Sequence, residues 1–128
     1  MSTEVALLVW SVALCFGQML VAVLGSLAQV GLPALAGNRE GLPAPTGWAG
    51  RAQRAHRNML ENLLLFAALV LAVAATTGSN STTLLGAQLF FWGRLAYAVI
   101  YLAGIPWLRT AAWAVSVVGL VLMFTQVV

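Results

Sequence analysis

The 128-residue sequence predicts an all-α fold, an antiparallel bundle of four transmembrane helices with both termini on the outer face. Three observations carry that reading. Charged residues make up 7% of the chain and apolar residues 62%, whereas soluble domains run near 25% charged. Residues 5–38 and 62–93 contain no charge, and each stretch exceeds the roughly 20 apolar residues that cross a bilayer core. Breakers and polar turns then divide the chain into four helix-length pieces. This composition excludes a secreted disulfide scaffold, a disordered tail and a nucleic-acid-binding domain. The pI near 10 comes from scattered arginines and not from a basic run.

Each span follows from its own punctuation. The first covers about residues 5–29 and ends at Gly31-Leu32-Pro33. Its start is acidic at Glu4 and its apolar run exceeds the about 7–15 residues of a signal-peptide core, so it reads as a retained helix. Cys15, the sole cysteine, lies inside it and reads as a buried, inert thiol. A loop over about residues 31–49 carries Pro43 and Pro45. The second span covers about 50–76, and the polar turn 77–81 ends it, with Gly78 placed to cap. The third covers about 82–102 and closes at Gly104. Pro106 suits the first turn of the fourth, which runs over about 106–127. The short link between the last two makes them antiparallel neighbours. Small residues at Gly17, Ala22, Gly25, Ala67, Ala68 and Ala72 allow close helix contact.

Orientation follows from the arginines. Arg39, Arg51 and Arg54 flank the long loop, and the turn at 77–81 has none. The positive-inside rule therefore predicts a cytoplasmic long loop, with the Arg109 turn on the same side. Trp10, Trp48 and Trp107 fit the interfacial belts. A Lys-free, Ala-rich chain points to a bacterial plasma membrane, where the sequon Asn80-Ser81-Thr82 is idle.

Most of the charges nevertheless fall within the helices. A charge at mid-bilayer costs roughly 2.5–3.5 kcal/mol on insertion scales, so such residues are normally paired and functional. On the second span Arg54, Arg57, Asn58 and Glu61 share a face about 100° wide, with His56 pointing away from it. On the third, Arg94, Tyr97 and Tyr101 form one stripe. The fourth opens with Arg109 and Thr110, with Trp113 one turn later. Arg94 lies ~18 Å into a core ~30 Å thick, hence ~12 Å from the cytoplasmic edge, and Glu61 ~10 Å from it, similar depths that predict a structural Glu61–Arg94 ion pair. The remaining guanidiniums need an anion, either lipid phosphate or a soluble ligand bearing carboxylates. No cluster of ligating side chains suggests a metal site.

The run Arg54-Ala55-His56-Arg57-Asn58-Met59-Leu60-Glu61-Asn62 resembles the helix-two signature of the MAPEG family, membrane-associated proteins of eicosanoid and glutathione metabolism. Arg94-Leu95-Ala96-Tyr97-Ala98-Val99-Ile100-Tyr101 is similar to that family's third-helix pattern, and Arg109 falls where the family opens helix four with an arginine. The four-helix layout matches over essentially the whole chain. The resemblance implies a homotrimer that binds glutathione, as co-substrate, between subunits near the cytoplasmic side. Carried over by position, Arg57, Asn58, Glu61, Tyr97 and Tyr101 would hold the tripeptide, supported by Arg54. Arg94 would organise Glu61, and Arg109 would be the catalytic group that stabilises the glutathione thiolate. The implied activity is a glutathione transferase or peroxidase acting on lipophilic small molecules drawn from the bilayer. The chain departs from the pattern in three places: it has no arginine over residues 26–36, Met59 stands where some members have Asp, and Trp113 where some have Tyr.

Plainer readings stand beside these. Arg54 can snorkel to lipid phosphate, Arg109 can be a topology anchor, and Tyr97 and Tyr101 can be packing aromatics. His56 reads as an interface residue and not as a base. Two further function classes therefore accompany the enzyme: a non-catalytic MAPEG-like structural or accessory subunit, and, more remotely, a small proton-coupled exporter. The exporter needs a Glu well inside the first helix, where this chain has only Glu4 at the edge.

Overall fold

The computed structural model describes residues 2–128 and contains five helices among them: α1 (Thr3–Val30), α2 (Leu32–Ala36), α3 (Gly47–Ala75), α4 (Ser81–Ala103) and α5 (Pro106–Val127). The four long ones are apolar and long enough to cross a membrane. They match the four expected spans, with ends shifted by up to three residues. The expected loop at 31–49 also contains the short α2. Pro33, read as a breaker, occupies the first turn of that helix, where a proline loses no hydrogen bond.

Local chemistry sets the helix ends. Ser2 caps α1, its Oγ accepting from the Val5 amide, and Glu4 sits in the first turn, where a carboxylate meets the helix dipole favourably. Asn80 caps α4 in a reciprocal box. Its Oδ1 accepts from the Thr83 amide at 2.9 Å, and the Asn80 amide donates to Thr83 Oγ1 at 2.8 Å. At the other end of α4, Gly104 adopts φ 84°, ψ 29°, a left-handed geometry that a residue with a Cβ enters at a cost. The Ile105 amide then bonds back to the Ile100 carbonyl. Pro106 starts α5 immediately, so α4 and α5 form a tight antiparallel hairpin.

Two layers of packing hold the bundle. Phe66 of α3 and Phe90 of α4 stack with centroids 4.1 Å apart, among Leu7, Cys15, Met59, Val70, Ala87 and Met123. Along the hairpin, Gly86 and Gly93 of α4 abut the α5 backbone: a Cβ on Gly93 would stand 3.0 Å from the Ser116 amide. In α1, Gly25 meets α3 so closely that a Cβ there would lie 2.6 Å from that of Ala49. Of the small residues singled out in the sequence, Gly25 makes such a contact, whereas a Cβ on Gly17 would meet nothing within 4 Å. The glycines that bring α4 and α5 together lie outside that group.

Polar links tie the two ends of the bundle. At one end the buried Glu4 carboxylate accepts from Thr83 Oγ1 at 2.8 Å, joining α1 to α4, and Asn80 bonds Gln126. At the other, Arg51 Nε donates to the Leu102 carbonyl at 3.0 Å, joining α3 to the end of α4. The candidate site residues lie toward this arginine-rich end.

Candidate functional site

The site starts from one helix face. Phe90, Arg94, Tyr97 and Tyr101 recur at spacings of three and four on α4, and all four are buried. The Tyr97 and Tyr101 rings lie 5.4 Å apart. Guanidiniums from three helices gather on this pair. Arg54 of α3 donates from Nε to Tyr101 Oη at 3.0 Å. Arg109, from the first turn of α5, lies over the Tyr101 ring with Cζ 4.5 Å from its centroid. Arg94 lies over the Tyr97 ring at 4.2 Å. Such cation–π contacts hold a cation over an aromatic face while leaving some of its N–H groups free to donate.

Beside the tyrosines opens a pocket of about 200 Å³, lined by Asn58, Tyr97, Arg109, Thr110 and Trp113. The structure thus brings together Arg54, Asn58, Tyr97, Tyr101 and Arg109 from three helices. Asn62, which closes the second-helix run but was given no role in the site, donates from Nδ2 to Asn58 Oδ1 at 3.2 Å and to the Asn58 carbonyl at 2.8 Å. Its signal in the sequence was weak, an amide one turn beyond another on the same face. Asn62 and Trp113 also border a second, apolar groove of about 550 Å³ between α3 and α5, which includes Leu65, Leu69, Val117 and Phe124. A polar mouth and an apolar trough therefore meet at Trp113.

Two expected ligands lie elsewhere. Arg57 and Glu61 sit exposed on α3, outside the pocket. The expected Glu61–Arg94 pair does not form, since all three Arg94 nitrogens are buried without a hydrogen-bond partner. The cause is rotation about α3. Met59 and Phe66, both fully buried, fix which side of the helix faces α4. Glu61, two residues from Met59, is turned about 200° from it. Similar depth in the bundle is not a shared side.

His56 turns toward α1, where its Nδ1 lies 3.9 Å from the Sγ of the buried Cys15. That contact between α1 and α3 is a weak one for a thiol. Among the described residues no three His, Cys, Asp or Glu side chains come together as metal ligands would.

The model of the MAPEG family matches residues 5–128 of the chain. No curated protein and no solved structure matches it.

Proposed function

The chain belongs to the MAPEG family, and from that premise we propose that it is a glutathione-dependent transferase or peroxidase acting on lipophilic electrophiles. One observation carries the reading: arginines from three helices converge on the Tyr97–Tyr101 pair beside an open polar pocket. The chain has six basic and three acidic residues, and Glu61 lies outside the pocket. An excess of positive charge suits glutathione, whose two carboxylates outnumber its one ammonium.

Glutathione would supply the sulfur nucleophile. A free thiol titrates near 8.5, and an adjacent guanidinium in a site of low dielectric favours its thiolate. Arg109 has the right position for that task, since it lines the pocket and is held against Tyr101. Arg54 fixes Tyr101 through its hydroxyl, and Asn58, steadied by Asn62, offers an amide to the peptide backbone of the ligand. The α3–α5 groove supplies an apolar wall that shares Trp113 with the pocket, so a lipophilic partner seated there would lie beside the thiol and exclude water from it.

The homotrimer is part of the same proposal. Arg57 and Glu61 are exposed on a membrane-length helix, and charges facing lipid are costly. A neighbouring subunit would cover them and make them available to a ligand held between subunits. The arginines around the long loop support a cytoplasmic location for this end and a plasma-membrane home for the protein.

The test is glutathione binding by the purified protein, followed as the ultraviolet band of the bound thiolate. The expected result is a band at millimolar glutathione that disappears in Arg109→Ala. Absence of binding in the parent protein would turn the reading to a non-catalytic MAPEG-like subunit, in which the arginines serve folding or lipid contact alone.

A further inference from the structure

The least expected group in the bundle is Arg94. It is 1% exposed, and its Nε, Nη1 and Nη2 are all buried without a hydrogen-bond partner. No acid of the chain relieves it: Glu4 is bonded to Thr83 at the far end of the bundle, Glu40 is exposed between α2 and α3, and Glu61 is exposed on α3. A positive charge in this setting is poorly screened, and its field acts over a longer range than that of a solvated arginine. The Tyr97 ring lies against the charge, its centroid 4.2 Å from Cζ, and Cys15 of α1 is also near enough to feel it. Tyr97 in turn lines the pocket beside Arg109.

We infer that Arg94 is a positioning residue for the pocket: a buried, uncompensated charge that orients Tyr97 and adds to the positive field in which the sulfur of a bound thiol ionises. It touches no ligand and acts through Tyr97 and through space. The inference rests on the glutathione reading above and goes beyond it, because that reading gives the thiolate to Arg109 and assigns Arg94 no task. The titratable and charged groups facing this region are Tyr97 and Tyr101 on α4, Cys15 on α1 with His56 of α3 against it, Arg54 of α3, and Arg109 of α5.

An arginine kept for its field and one kept for structure predict opposite results on removal. Deleting an uncompensated buried charge relieves its desolvation cost, so Arg94→Met should melt no lower than the parent protein. Its bound-thiolate band should nevertheless titrate about one pH unit higher, because part of the stabilising field is gone. Arg94→Lys keeps the charge and should titrate close to the parent.

The experiment measures melting temperature and the pH midpoint of the ultraviolet thiolate band for the parent, Arg94→Met and Arg94→Lys, with glutathione as the probe. A parent with a band and an Arg94→Met protein with the same midpoint overturns the inference and leaves the glutathione reading intact. An Arg94→Lys midpoint displaced as far as that of Arg94→Met also overturns it, since charge would not be the agent. If Arg94→Met, or the polar Arg94→Gln, fails to fold, the arginine is structural and the inference is wrong. A parent with no band sinks the glutathione reading, and this inference with it.

Discussion

Gly86 of α4 and Gly119 of α5 lie back to back, so close that a Cβ on Gly86 would stand 2.7 Å from the Gly119 carbonyl oxygen. The hairpin that delivers Arg109 to the tyrosines therefore closes on bare backbone. Alanine at either glycine must push the helices apart or displace Met123 and Leu89, at a cost of about 1–3 kcal/mol. Gly17→Ala adds the same methyl group where nothing lies within 4 Å. Melting temperatures in one detergent should place Gly86→Ala and Gly119→Ala well below the parent, with Gly17→Ala at or above it.

Thr83 serves two masters at the opposite end of the bundle. Its hydroxyl donates to the buried Glu4 carboxylate and accepts from the Asn80 amide. Thr83→Val strands both partners and should destabilise the fold by about 1–3 kcal/mol. Thr83→Ser keeps the hydroxyl and should retain most of the stability in the same thermal unfolding measurement. Equal losses in the two variants would mean that the methyl group, and not the hydroxyl, matters.

Tyr101 joins Arg54 to Arg109, and its two contacts can be separated. Tyr101→Phe removes the acceptor of Arg54 Nε and leaves the ring beneath Arg109. Glutathione affinity, read by calorimetry, should fall by about fivefold, the equivalent of one hydrogen bond near 1 kcal/mol. The thiolate band should survive at saturating ligand. Tyr101→Leu removes both contacts and should weaken the band as well.

Arg57 and Glu61 allow an oligomer test with opposite signs. If lipid surrounds them, replacing both with Leu stabilises each chain and leaves the subunit number unchanged. If a second subunit covers them, the double variant loosens the trimer and weakens glutathione binding. Light scattering of the detergent-solubilised protein at decreasing concentration is expected to show dissociation at a higher concentration than in the parent.

Local signals carried the spans and much of the site, and they failed where the information was not local. Charge-free runs, Gly104 before Pro106 and the polar turn at 77–81 each act within a few residues of themselves, and the helices end near them. The stripe of Arg94, Tyr97 and Tyr101 is likewise a property of one helix, and it is buried as a unit. Proline is ambiguous on the same scale: Pro106 opens a helix as expected, and so, unexpectedly, does Pro33. The partner of Arg94 was misjudged for a different reason. Depth follows from counting residues, but the angle of α3 about its own axis follows from Met59 and Phe66 seating against α4, which requires both helices at once. The glycine contacts of α4 with α5 depend in the same way on the register of two helices, and spacing within one does not disclose them.

The Asn80 side chain has a bearing on covalent decoration of the protein. Its Oδ1 holds the Thr83 amide, and its Nδ2, the atom to which an N-linked sugar would be joined, donates to Gln126 Oε1 at 3.1 Å. A glycan joined there would crowd the bond to the last turn of α5, while Oδ1 would still accept from the Thr83 amide. The tripeptide Asn80-Ser81-Thr82, an acceptor by its letters, is by its geometry a clasp between two helix ends.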